Sequence, residues 1–177
     1  MTGNDIAVLL GFLAASIALA GFAGIVTSID RGAAVASNEV ISFRVRNLVT
    51  SAVTSVFLSL LPVVLEALEL FPSSLWRLCC VVSAIGIGAR LFSLLSARLR
   101  MRDGKDAGLS RSLFATNLTL GALAFGVLVA GASGAVAGRG AYFAGLFYLL
   151  YLMCTLFHRM VAMADDAARH AAKKKQG

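Results

Sequence analysis

Arg90 stands inside a long apolar run, and no other residue of this chain is better placed to do chemistry. A guanidinium in hydrocarbon costs several kcal/mol unless it snorkels to the headgroups, pairs, or meets water. Other polar residues fall at a similar level of their own apolar runs: Thr27 and Ser28, Asn47 with Thr50 and Ser51, Asn117, and His158. Tyr148, Tyr151, Thr155 and His158 follow at spacings of three, four and three, which is one face of a helix. The expectation is a polar pocket in which Arg90, Asn117, Tyr151, Thr155 and His158 hold an anionic group such as a lipid phosphate. The plainer reading is that Arg90 snorkels while the others cap helices or bond locally.

A second cluster carries the opposite sign. Glu66 and Glu69 stand shortly before Arg77. Two carboxylates are the chemistry of cation capture or proton exchange. Without a nucleophile or metal ligand beside them, the plainer expectation is an outer-face ion pair among Glu66, Glu69 and Arg77, with Trp76 anchoring at the interface.

The remaining reactive types are sparse. His158 and His170 are the only histidines, too few for a metal cluster or a haem. Cys79, Cys80 and Cys154 lie in apolar runs without a C-x-x-C and read as small packing residues. Gly86-Ile-Gly88 has apolar flanks and no preceding strand, so it is not a nucleotide loop. The expectation is no catalytic residue, no metal, no cofactor and no enzyme.

Five elements must position these groups. The 177-residue chain is 59% hydrophobic and 14% charged, with a mean hydropathy of +0.85. That is too apolar for a soluble surface and suits a bundle of membrane helices. Apolar runs cover about 6–29, 48–65, 75–97, 113–137 and 142–163, each long enough to cross a hydrocarbon core of roughly 30 Å as a helix. They lack the alternation of a barrel strand. Residues 1–5 carry no Lys or Arg, so the first run reads as a span and not as a cleavable signal.

Basic residues collect on alternate connections. Three lie between the first two runs, five between the third and fourth, and five at the C-terminal end, whereas Arg77 and Arg139 stand alone on the other side. The positive-inside rule then places the N-terminus outside and the C-terminus inside. The expected fold is an all-α integral membrane bundle of five transmembrane helices. Residues 1–163 form its single domain, and 164–177 form a basic, helical cytoplasmic tail. The net charge of +7 follows mostly from topology and from attraction to anionic headgroups. Nucleic acid is excluded as a partner, because the basic residues are dispersed and lack interleaved aromatics.

The connection from Asp30 to Asn47, with Glu39 and Phe43, predicts a short amphipathic helix at the interface. Pro72 with Ser73 or Ser74 predicts the turn into the third helix. Gly138-Arg139-Gly140 predicts the connection between the last two helices. Small residues repeat every four along the fourth run: Ala122, Gly126, Ala130 and Gly134. Ser16, Ala20, Gly24 and Ser28 do so in the first, and Ser51, Ser55 and Ser59 in the second. Such ridges admit a neighbouring backbone, within the chain or from a second copy.

Gly21-Phe-Ala-Gly-Ile-Val26, Arg44-Val-Arg-Asn-Leu48, Leu60-Leu-Pro62, Leu75-Trp-Arg-Leu78 and Phe157-His-Arg-Met160 give the chain its wider likeness. In these segments it resembles a group of small bacterial multi-spanning inner-membrane proteins without assigned activity. The resemblance implies a bacterial plasma membrane and supplies no reaction or ligand. The expected function is contact with membrane lipids through their anionic headgroups, with a second copy or another membrane protein as partner. The alternative is a small ion channel or transporter built on the polar pocket around Arg90.

Overall fold

The computed structural model describes residues 1–30, 38–69, 74–100 and 111–174. Every regular element among them is helical: α1 (Gly3–Asp30), α2 (Asn38–Ala67), α3 (Leu75–Arg100), α4 (Arg111–Ser133) and α5 (Gly138–Lys174). All five are long and apolar enough to cross a membrane. Their outward faces are hydrocarbon, with Phe57, Ile85, Phe92, Leu123 and Phe147 each more than half exposed. A surface of that kind is stable only where the surroundings are apolar too.

Consecutive helices run antiparallel. Ser16 of α1 meets Ser55 of α2, Arg90 of α3 meets Asn47 of α2, and Leu128 of α4 fills the space before Gly145 of α5. Helix α5 is the hub. It contacts each of the other four, whereas α1 touches only α2 and α5 among the described residues. The core accordingly draws heavily on one helix: Ala141, Tyr142, Leu146, Leu149, Leu152 and Met153 are all buried.

Small residues set the helix spacing. The predicted serine ridge of α2 faces inward, with Ser51, Ser55 and Ser59 buried. Ser16 Oγ donates to Phe12 O at 2.7 Å and lies 2.8 Å from Ser55 Oγ. At Gly131 a Cβ would stand 2.5 Å from the Ala141 Cβ, so α4 and α5 approach closely there.

The boundaries differ from expectation at two places. Helix α2 begins at Asn38, so the residues from Asn38 to Asn47 open the second helix and do not form a separate one. No proline or glycine interrupts 38–61, and a helix once nucleated propagates through such a stretch. Residues 31–37 of that connection lie outside the described residues, as do Pro72 and Ser73 of the next turn. Helix α4 stops at Ser133, and Gly138-Arg139-Gly140 is the first turn of α5, not a connection. The break falls at Gly134, whose φ is +83°. There Gly134 N–H donates to Gly131 O at 3.2 Å and Ala135 N–H to Ala130 O at 2.9 Å, the paired bonds that end a helix on a left-handed residue. The expected tail helix is the continuation of α5, which runs unbroken to Lys174.

Candidate functional site

The end of the bundle that holds the starts of α1, α3 and α5 (the near end) is closed by charge and aromatic rings. Thr2 and Asp5 cap α1 reciprocally. The Asp5 carboxylate accepts from Thr2 N–H and Thr2 Oγ1, each at 2.9 Å, and Asp5 N–H approaches Thr2 Oγ1 at 3.4 Å. The other carboxylate oxygen of Asp5 lies 2.8 Å from Arg139 Nε, tying α1 to the first turn of α5. Trp76, half-buried, packs against Tyr142 and Phe143 with ring centroids 5.9 and 5.8 Å away.

The predicted outer-face charges are distributed differently from expectation. Glu66 pairs with the Met1 amino group. Arg77 lies against Gly134, where a Cβ would be 2.7 Å from its Nη2. A cation there sits at the carbonyl end of α4, its favourable place in the helix dipole. Glu69 is exposed and has φ 52°, and its N–H donates to Glu66 O at 2.9 Å. It therefore ends α2 as Gly134 ends α4, and pairs with no cation among the described residues.

Tyr142 answers a need created by Pro62. Proline has no N–H, so the carbonyl four residues earlier in α2, Leu58 O, loses its helical partner. The fully buried Tyr142 hydroxyl donates to that oxygen. A carbonyl without a partner in an apolar bundle costs several kcal/mol, which is why a side chain from α5 fills the vacancy.

Toward the opposite (far) end, four helices converge on Arg90. Its Nη2 donates to Asn47 O at 3.0 Å. Its Nη1 is covered and has no acceptor, and Asn117 Oδ1 is covered and has no donor. The buried Tyr148 hydroxyl points at Asn117 O at 3.4 Å. Gly121 makes room for it, since a Cβ there would stand 2.6 Å from the hydroxyl and 2.5 Å from Leu91 Cδ2. No carboxylate pairs with Arg90 among the described residues. Arg90 thus keeps both N–H groups of Nη1 without an acceptor, and Asn117 on α4 keeps an amide oxygen without a donor.

Of the five residues expected in this pocket, Arg90 bonds Asn47 O of α2 and Asn117 O is met by the Tyr148 hydroxyl of α5. Thr155 bonds its own helix, donating to Leu152 O at 2.9 Å. Tyr151 is half-buried and His158 is exposed. The reason is angular drift. At 3.6 residues per turn, the ten residues from Tyr148 to His158 rotate the face by about 80°. Asn47, expected at this level for its side chain, contributes its backbone carbonyl instead, and Gly121, which carries no polar side chain to signal it, contributes an absence.

The α4 ridge turns away from the helix neighbours. Ala122 and Gly126 are exposed, and a Cβ at Gly126 would meet nothing within 4 Å. Ala130 is half-buried, and Gly134 lies beyond the helix end. The face that packs inside is Gly121, Ala124, Leu128 and Gly131. Cys79 and Cys80 are buried, with Cys80 Sγ 3.2 Å from Gly138 O, whereas Cys154 is exposed. Among the described residues no group of three or more His, Cys, Asp or Glu stands close enough to hold a metal ion. Comparison with known proteins finds no matching family model, no matching curated protein and no matching solved structure.

Proposed function

We propose that this is a non-enzymatic, multi-pass plasma-membrane protein that works through lipid contacts, with Arg90 receiving an anionic headgroup on the cytoplasmic side. The observation that carries this reading is the Nη1 of Arg90, covered and without an acceptor at a meeting of four helices. An uncompensated guanidinium in that setting is stabilised by an anion brought from outside the chain, and a phospholipid phosphate is the most abundant one at that depth. The distribution of Lys and Arg supports the orientation, N-terminus outside and C-terminus inside. The resemblance to small bacterial proteins supports the inner membrane. The exposed small residues of α4 support a homo-oligomer, in which Ala122 and Gly126 would be covered.

Native mass spectrometry of the purified protein tests the reading. Wild type is expected to retain phospholipid, and Arg90→Leu to lose most of it. Equal retention by the two would overturn the proposal.

A second reading, a small channel or transporter, draws on one further observation. Asn47, Ser51, Ser55 and Ser59 form a row on α2 whose serines are buried, extending about 18 Å at 1.5 Å per residue. Ion flux in proteoliposomes that is lost in Arg90→Ala would favour it over the first.

A further inference from the structure

Helix α1 is held to the bundle by polar ties more than by packing. Among the described residues it touches only α2 and α5, and of its described side chains only Asp5, Leu9 and Ser16 are buried. The two polar ones each tie α1 to a neighbour. Ser16 Oγ lies 2.8 Å from Ser55 Oγ of α2, and Asp5 Oδ1 lies 2.8 Å from Arg139 Nε of α5. In lipid no hydrophobic force presses one helix onto the next, so such ties carry more of the attachment. At the far end the Phe22 and Phe157 rings meet at 6.5 Å. Between the Ser16–Ser55 and Met1–Glu66 contacts of α1 with α2 lies Ser59. It is 1% exposed, and its hydroxyl is covered without a partner.

The tie between Asp5 and Arg139 is one of charge. Asp5 Oδ1 stands close to Nε but out of line with its N–H, so no aligned hydrogen bond accompanies the contact. The Asp5 side chain is 2% exposed and that of Arg139 47%, so the arginine turns to water or headgroups once the carboxylate is neutral. The other charged groups at this corner are the Met1 amino group and Glu66 of α2, and they engage each other. We infer that Asp5 and Arg139 form an acid-sensitive latch, and that protonation of Asp5 frees the near end of α1 and opens a way to Ser59. The latch holds while Asp5 is ionised and releases as the pH falls. The Thr2 cap uses the other carboxylate oxygen, so a proton on Oδ1 frees the helix without unwinding its first turn. The latch lies at the opposite end of the bundle from Arg90 and works whether or not a lipid binds there.

The test is the distance between spin labels on Ala7→Cys of α1 and Ala144→Cys of α5, both exposed positions. It is measured by electron paramagnetic resonance on the full chain in nanodiscs, with Cys79, Cys80 and Cys154 replaced by alanine. With Asp5 and Arg139 intact, one distance is expected at neutral pH and a second, longer one in acid. Asp5→Asn and Arg139→Gln are each expected to show the longer distance at neutral pH already. Arg139→Gln leaves the Thr2 cap in place, so its result stands even if Asp5→Asn does not fold. A distance that moves with neither pH nor variant overturns the inference. So does an equal acid-induced change between labels on Ile85→Cys of α3 and Leu123→Cys of α4, which would mean that acid loosens the whole bundle. Access is read separately, by a water-soluble maleimide at neutral pH. Ser59→Cys is expected to react when Arg139→Gln is present and to be protected when it is not. Protection in both overturns the opening toward Ser59.

Discussion

At the scale of single residues, the Tyr142 hydroxyl and the Pro62 ring form one unit although they lie 80 positions apart in the sequence. Tyr142→Phe is expected to destabilise the bundle by about 1–3 kcal/mol, because Leu58 O is left bare. Pro62→Ala restores a backbone N–H to that oxygen, so the same Tyr142→Phe change is expected to cost less in its presence. Thermal unfolding of the four proteins in one detergent measures the difference; equal costs in both backgrounds would mean that the tyrosine does not serve the proline. Gly121 invites a similar experiment at the far end. Gly121→Ala pushes against Tyr148 and Leu91 together, and overpacking of this kind costs about 1–3 kcal/mol. The expected result is a lower melting temperature with lipid retention reduced alongside it. Retention at the wild-type level would separate Tyr148 from the Arg90 cluster.

At the scale of elements, the helix ends are more instructive than the helix bodies. The bodies were legible, since five apolar runs of spanning length admit little else. The ends were not, because glycine has two uses. Gly138 and Gly140 sit inside the first turn of α5, whereas Gly134 terminates α4 with positive φ. Nothing in the local sequence distinguishes an inserted glycine from a terminating one; the paired backbone bonds at 134 and 135 do. Glu69 ends α2 in the same left-handed conformation with a side chain that disfavours it. Glu69→Gly is therefore expected to raise stability by roughly 1 kcal/mol, and Gly134→Ala to lower it by at least as much. Melting curves in detergent would show opposite shifts, and a loss of stability in Glu69→Gly would imply that its carboxylate matters more than its backbone. The candidate site was half legible for the same kind of reason. Arg90 and Asn117 declare themselves as polar residues in apolar runs, but which side of α5 faces them depends on a rotation that accumulates along the helix, and this brought in Tyr148 and left His158 outside.

At the scale of the whole molecule, the asymmetry of charge and the asymmetry of contact are separate properties. Charge was readable from where Lys and Arg fall between the apolar runs, and its prediction is topological. A cysteine at position 177 in a background lacking Cys79, Cys80 and Cys154 is expected to react with a membrane-impermeant maleimide only after the cells are opened. Labelling in intact cells would reverse the orientation. Contact was not readable, since all five apolar runs look equally suited to the centre, and only the assembled structure shows that α5 occupies it. This carries a consequence for biosynthesis. Helix α5 follows the other four from the ribosome, and α1 meets neither α3 nor α4 among the described residues. The pairs α1–α2, α2–α3 and α3–α4 can therefore form first, and the contacts that α5 makes with each of the four come last.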